Sequence, residues 1–551
     1  MLRLPRPHLK LPVRRTGTHD HDELAMSRGQ ILVLFVLSLT MLIGIMGLAI
    51  DVSFAWLNEI RVQNAADAAA LAGAVYLPDN VSGGTSASQA MAVQNGYTNG
   101  SNNGTGTVVV NAQQDPIPYQ MDVTISAPIP TFFMRVFGIN SLTASRSAHA
   151  QYNSPLPMGS PLNVFGYPTA TDLQGNLLNF WAAIQGPCTL KENGDPYATK
   201  DTTTVHTNCA TVTSPSNTEY KGPATGDPGA YDYSIKVSAP GTLSVQLYDP
   251  EFCQRSSQFD DTGDTAFSNQ SSVNFNTIFT LYNPSSTAYD LTDDTVAATA
   301  TYPGDGSTSS GPTHSCSSYY VHSVSGDYAA GGSGSICYPA GSCGAANPWI
   351  QFATIAVPAA GTYRLNVQTT SGSSPADGSN MYAIQTTLNG GTSGVQVYGG
   401  GPGTRSTMSI YNNLASGTSY IYLAQVAAKN AGKTLQISLF DPGDLNGTGV
   451  MSFEIPNSSG YSDATFTYRD SGTTLTAAGT TKGPTTSVTT ASGGVSNFNG
   501  HWLVVTIVIP TTYTAPQGGW WKVKYVISGG AAHDRTTWNA NILDITDHLV
   551  P

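Results

Sequence analysis

The chain has 551 residues and a formal net charge of −12, with 40% hydrophobic and only 11% charged residues. That is enough apolar material for packed cores, which excludes wholesale disorder, and more length than a single core spans. An acidic chain with so few cations has no basic stripe to neutralise phosphates, which excludes nucleic acid as a partner.

Residues 1–27 read as a short cytoplasmic tail. Arg3, Arg6, Lys10, Arg14, Arg15 and Arg28 against Asp20, Asp22 and Glu23 leave +3 ahead of the first apolar run, so the rest of the chain carries −15. His19, His21, Asp22 and Glu23 have metal-like composition, but a tail this short is expected to be disordered. Ile31 to Ile50, with Leu34, Leu39 and Ile45 between them, is twenty residues without a charge. As a helix that run is about 30 Å long, roughly the hydrocarbon thickness of a bilayer. It predicts a transmembrane helix over 28–51. The run exceeds a signal-peptide core and lacks a small-x-small cleavage site, so an uncleaved anchor is expected. The basic flank puts the N-terminus in the cytoplasm and residues 52–551 outside the cell membrane.

Helical character continues past the span. Placed 100° apart, Leu57, Ile60, Asn64, Ala68, Leu71 and Val75 share a face about 80° wide, expected to be the contact face of an assembly helix. The surrounding alanines allow another element to come close. After Pro78 the pattern turns strand-like at Val108–Val110 and at Val123 with Ile125, separated by Gly, Asn and Pro. An anchor helix running into an external helix on a small sheet is a pilin-like α+β layout; a plain anchor with a spacer is the blander alternative.

Several segments of this region carry a resemblance. Arg28-Gly29-Gln30 precedes the apolar helix and Ala49-Ile50-Asp51 ends it; Gln63-Asn64-Ala65-Ala66-Asp67-Ala68-Ala69-Ala70-Leu71-Ala72-Gly73-Ala74 follows. Further on come Met121–Ile125, the Phe132-Phe133-Met134-Arg135-Val136-Phe137-Gly138 segment and Thr143–Ala150. Together, over about residues 27–152, they resemble the N-terminal module of TadE/TadG-like Flp (tight adherence) pilus-assembly proteins. The resemblance implies a membrane-anchored component of pilus assembly, with other assembly or surface proteins and the lipid bilayer as partners. It does not extend to pilin processing, because Leu34 stands five places after Gly29, where prepilins carry an acidic residue. Nor does it bring the external metal site of some relatives, since Asp51-Val52-Ser53 runs into Phe54-Ala55 at the membrane boundary.

Beyond residue 152 the composition is that of a secreted β protein, with Gly 57 and Pro 33 in the whole chain. An internal repeat is visible. Tyr233–Val237 and Gly241–Pro250 recur as Tyr420–Leu423 and Lys433–Pro442, Phe279–Tyr282 is echoed by Phe466–Tyr468, and Gly361–Val367 by Gly519–Tyr525. Period-two alternation predicts antiparallel strands, and the shared order predicts two tandem β-sandwiches of jelly-roll type, over 153–390 and 391–551. Asp249 to Gly361 spans 112 residues and Asp441 to Gly519 only 78, so the first copy carries a Gly/Ser-rich insertion. Cys253, Cys316, Cys337 and Cys343 lie in it, after Cys188 and Cys209. Six external Cys read as disulfides, with Cys188–Cys209 and Cys337–Cys343 suggested by proximity; zinc is the rival, without a paired Cys-x-x-Cys to support it.

Chemistry is sparse. Asp444, Asn446 and Thr448 fall at calcium-loop positions 1, 3 and 5, but Ile455 occupies position 12, so a turn is expected. Asp290, Asp293, Asp294 and Asp305 are a weaker calcium candidate beside the reading of a solvated loop. Trp520, Trp521 and Trp538 could line a sugar face, although neighbours on a strand point to opposite sides and core plus rim is the simpler reading. No Gly-x-Ser-x-Gly, His-Glu-x-x-His or phosphate loop occurs, and His206, His314, His322, His501, His533 and His548 form no recognisable set. No catalytic residue, cofactor or metal site is expected. The leading expectation is a non-catalytic component of Flp pilus assembly or surface adherence; a carbohydrate-binding adhesive protein on the same anchor is the runner-up, and an exported hydrolase the third reading.

Overall fold

A computed structural model of the chain describes residues 23–550 apart from 78–79, 103, 117–119, 153–155, 169, 197–230, 253–263, 268–274, 285–293, 305–320, 324–334, 338–348, 372–376, 401–406, 415 and 544–546. The described residues divide into two compact units. One holds the chain up to Ala74, Gly84–Ala150 and the end from Leu549; the other holds Val75–Gly83 and Gln151–His548.

The first unit is built on one helix, Glu23–Ala74, whose apolar run and alanine-rich part are continuous. From Gln30 it is long and apolar enough to cross a membrane, and Ile31, Leu34, Leu39, Ile45 and Ile50 all lie exposed along it. An aliphatic run left this exposed over its length suggests a single membrane anchor. A second helix, Val81–Gln94, is followed by the antiparallel strands Val109–Gln114, Gln120–Pro130 and Ser141–Tyr152. The chain end Asp547–Val550 adds a fourth strand beside Ser141–Tyr152. Met121, Val123 and Ile125 alternate inward and are fully buried, as the period of a half-covered sheet requires.

In the second unit the two sequence copies contribute to the same two antiparallel sheets. Among the described residues each sheet has 12 strands. In the first, Val296–Pro303, Phe275–Tyr282, Gly361–Ser371, Tyr231–Val237 and Val395–Gly399 lie in that order on one side. Met158–Gly159 follows, then Gly417–Gln425, Trp520–Ser528, Thr448–Asn457 and Val488–Ser492. In the second, Ile350–Val357, Gly241–Tyr248, Gly378–Leu388 and Phe180–Gln185 meet Thr407–Leu414, Ala532–Ile542, Thr434–Phe440 and Trp502–Val508. Residues of both sheets and both copies, among them Ile235, Leu247, Phe279, Leu365, Ile384, Ile437 and Val523, belong to one buried cluster. The Tyr233 and Tyr382 hydroxyls, one from each sheet, are 2.8 Å apart, and the Phe453 and Phe466 rings meet edge to face at 5.1 Å.

The seam between the copies is an exchange. Met158–Gly159, which opens the first copy, pairs with Gly417–Gln425 of the second, whereas Val395–Gly399, which opens the second, pairs with Tyr231–Val237 of the first. Gly159 is needed there: its φ is +86°, and a Cβ would lie 2.2 Å from the Phe165 ring. One expected correspondence is displaced. The place beside Gly361–Ser371 held by Phe275–Tyr282 is held in the second copy by Thr448–Asn457, while Phe466–Asp470 lies on the other sheet against Trp502–Val508.

Candidate functional site

The membrane-proximal part of the first unit brings together the residues with the clearest geometry. Val62, Ala65, Ala66, Ala69, Ala70 and Ala74 are buried at a spacing of three and four, so one stripe of the helix lies on the sheet. Only small side chains allow that approach. Gly73 is tighter still, since a Cβ there would stand 2.1 Å from the Ser88 hydroxyl on the second helix. Gln63 Nε2 donates to Asp67 Oδ1 at 2.7 Å, and Arg146 pairs with Glu59 across helix and sheet. Leu57, Ile60 and Asn64 are exposed, and Ala68 and Leu71 half-buried, on the side away from that stripe. The face singled out from sequence is therefore the outward ridge, and the alanines beside it form the contact with the sheet.

Asp51 closes the apolar run and is 2% exposed. Its Oδ1 accepts the Phe132 amide at 2.8 Å, and its Oδ2 those of Phe133 and Met134 at 2.9 and 2.7 Å. Three backbone donors converge on one carboxylate because the chain turns into a short 3-10 helix, Met134–Phe137, whose first amides would otherwise lack acceptors. Gly138 ends that turn in the left-handed region at φ 82°. Phe132 packs edge to face on Phe54 at 5.2 Å, and Phe133 lies against Gly47, where a Cβ would stand 2.7 Å from the ring. Sequence reasoning used Asp51 as part of the resemblance and rejected it as a metal ligand, but gave it no role in holding a turn. The available signal was a lone acid at the end of a charge-free helix, followed 81 residues later by an amide-presenting aromatic turn.

The second unit houses its charges differently. Arg364 is buried, donating to Asp232 Oδ1 at 3.0 Å and from Nε to Asp294 Oδ2 at 2.9 Å, with its guanidinium 4.1 Å from the Tyr282 ring centroid. The matching strand of the other copy, Trp520–Ser528, carries a second buried cation at the corresponding position. Lys522 lies 2.5 Å from Asp172 Oδ2 and 3.9 Å from the Tyr461 ring. Burial alone would raise Asp172, but the hydrogen bonds from Asn176 and Lys522 pull it below the usual carboxylate range. Asp294, once grouped with other aspartates as a calcium candidate, is thus an ion-pair partner; Asp290, Asp293 and Asp305 lie outside the described residues.

Buried Asp441 and Asp534 form an acidic cluster with the half-buried Asp444. Burial first, then repulsion by Asp444, pushes Asp441 up to about 9, and burial with Asp534 raises Asp444 to about 7. Among the described residues no group of three or more His, Cys, Asp or Glu could hold a metal ion. Asn446 is exposed, and the Asp444 segment is a turn between strands. Trp520, Trp521 and Trp538 are all buried, so they supply no sugar-binding face; Trp521 Nε1 donates to the Tyr513 hydroxyl at 3.0 Å instead. His501 Nδ1 lies 3.1 Å from Asp470, and His533 Nδ1 3.1 Å from the Tyr411 hydroxyl. Cys188 is fully buried and is not a free cysteine. The side chains of Cys209, Cys253, Cys316, Cys337 and Cys343, and those of His206, His314, His322 and His548, lie outside the described residues, as do residues 19–22.

Residues 29–75 match the family model described as Flp pilus-assembly TadE/G-like. The match covers the anchor and the alanine-rich segment, and ends where the long helix ends. No curated protein and no solved structure matches the chain.

Proposed function

We propose that the protein is a membrane-anchored, non-catalytic structural component of Flp/Tad-type pilus assembly or surface adherence. Its N-terminus is cytoplasmic, and its β region stands outside the membrane as a fused pair of β-sandwiches. The observation that carries this reading is the coincidence of the family match with a single continuous helix. That helix is lipid-facing over Ile31–Ile50, sheet-packed through Ala65, Ala66, Ala69 and Ala70, and open along Leu57, Ile60 and Asn64. An apolar ridge beside a membrane is where another assembly protein has a surface to meet. In an oxidising compartment the six Cys would be crosslinked, limiting the unfolded entropy of a Gly/Ser-rich insertion.

Crosslinking in intact membranes followed by affinity capture of the full chain tests the assignment. Recovery of Flp/Tad assembly proteins is the expected result. Glycan-array binding without any such protein would replace the reading with the carbohydrate-binding one. A reporter fused after Pro551 should be active only when exported, and cytoplasmic activity would overturn the orientation.

A further inference from the structure

We infer that the turn 131–139 is a second membrane-contacting element, an apolar tip that enters the same leaflet as the outer end of the anchor helix. This rests on the reading of that helix as a membrane span. Val136 and Phe137 are 83% and 81% exposed, and Phe132, Phe133 and Ile139 are exposed beside them. Five large apolar side chains facing outward from nine residues need an apolar environment.

The position of the turn says which environment. Asp51 holds the amides of Phe132, Phe133 and Met134 just past the end of the apolar run, and Phe133 packs on Gly47, four residues before Asp51 and within that run. Four helical residues correspond to about 6 Å along the axis. If Ile31–Ile50 fills the hydrocarbon, the Phe133 ring lies below its outer boundary. The surface is thus continuous with the lipid-facing surface of the span.

Backbone chemistry favours lipid over a protein groove. Irregular backbone is excluded from hydrocarbon because its polar groups go unsatisfied. Here most are satisfied internally. Three amides are on Asp51; Thr131 N donates to Asn140 O at 3.2 Å, Val136 N to Phe133 O at 3.1 Å, Gly138 N to Arg135 O at 2.9 Å and Ile139 N to Met134 O at 3.2 Å. The Thr131 hydroxyl donates to Ile139 O. Arg135, exposed in the same turn, has the reach to place its guanidinium among lipid phosphates. Trp56, exposed just past Asp51, is the residue type that settles at the membrane interface. Two points of insertion would fix the rotation of the helix and with it the direction of the Leu57, Ile60 and Asn64 ridge.

The test uses the full chain in nanodiscs of phosphatidylethanolamine and phosphatidylglycerol that carry a photoactivatable diazirine in the acyl chain. Lipid adducts are expected both on Ile31–Ile50 and on the 131–139 peptide. The double substitution Val136→Asp with Phe137→Asp should abolish adducts on the turn while leaving those on the span, with slow hydrogen exchange kept at Phe132–Met134 as proof that the turn is still clasped. A labelled span with an unlabelled turn in the parent protein overturns the inference and leaves the anchor standing. An unlabelled span overturns the anchor reading, and the inference with it.

Discussion

Asp51 in the first unit and Asp441 in the second are both withdrawn from solvent, yet their surroundings are opposite. Asp51 has three backbone donors on two oxygens. Asp441 has one, the Gly500 amide at 2.7 Å on Oδ1, while Oδ2 has no hydrogen-bond partner among the described residues and Asp444, Asp534 and Glu192 press on it electrostatically. A carboxylate surrounded by amides has its oxygens filled by donors and works as a clasp. One surrounded by acids keeps its proton. The second unit also compensates carboxylates by a third means, buried cations, so each arrangement can be broken separately.

The largest effect is expected at the ion pairs. Arg364→Ala would remove the guanidinium that Asp232 and Asp294 share, leaving Asp232 the Asn366 side-chain amide at 2.9 Å, and removing one partner of a buried pair costs about 3–5 kcal/mol. Lys522→Ala should cost less. Asp172 keeps the amides of Gln174 and Asn176 at 2.8 Å and the Asn176 side chain at 2.9 Å after the lysine is gone. Urea unfolding of both variants measures the gap; equal losses would show that Asp172 depends on Lys522 as fully as Asp232 depends on Arg364.

Next in size is a pH dependence. The folded pKa of Asp441 is raised, so the native state binds its proton more tightly than the unfolded chain does. That contribution is complete below the unfolded carboxylate value and shrinks as pH climbs towards the folded value of about 9. One proton changes stability by at most about 1.4 kcal/mol per pH unit. Unfolding midpoints should therefore fall between pH 7 and pH 9, and Asp441→Asn should flatten the fall. A parent protein that gains stability over that interval would show that the cluster ionises without cost.

Asp51→Asn gives a smaller and local change. An amide side chain offers one acceptor oxygen where the carboxylate offers two, so it cannot hold all three donors. Hydrogen exchange should quicken at Phe132, Phe133 and Met134 while the strands of the second unit stay as they were. Unchanged protection would mean that the Phe54–Phe132 and Gly47–Phe133 contacts hold the turn unaided.

The legible and illegible parts of the chain divide along physical lines. Twenty uncharged residues and a run of alanines are local signals, and they mark the long helix directly. Strands such as Gly241–Tyr248 are also local, because Leu243, Val245 and Leu247 alternate inward as written. Which helix face meets the sheet was not legible, since size points to Leu57 and Ile60 whereas close packing selects Ala65, Ala66, Ala69 and Ala70. Pairing between copies was hidden for a different reason. Ladder hydrogen bonds are made by backbone, so nothing in the side chains of Met158–Gly159 announces that it pairs with Gly417–Gln425. Alternation is degenerate too, which is why Phe466–Tyr468 passed for the counterpart of Phe279–Tyr282 when Met451 and Phe453 occupy that place. Buried ions have no period at all; Asp172 and Lys522 are 350 residues apart.

The smallest stability effect belongs to the outward ridge, and it bears most directly on assembly. Asn64 and Ala65 are consecutive, but Asn64 is exposed and Ala65 fully buried. Ala65→Trp would force a bulky ring between helix and sheet, and overpacking of that kind costs about 1–3 kcal/mol. Asn64→Trp displaces nothing in the described structure, so the unfolding midpoint should stay where it is. Membrane insertion should survive both substitutions, because the Ile31–Ile50 run is untouched. If the ridge receives another assembly protein, Asn64→Trp alone should abolish co-purification from crosslinked membranes while thermal unfolding matches the parent. Co-purification that survives Asn64→Trp, and likewise Ala68→Trp on the same face, would leave the long helix with anchoring and sheet packing as its whole task.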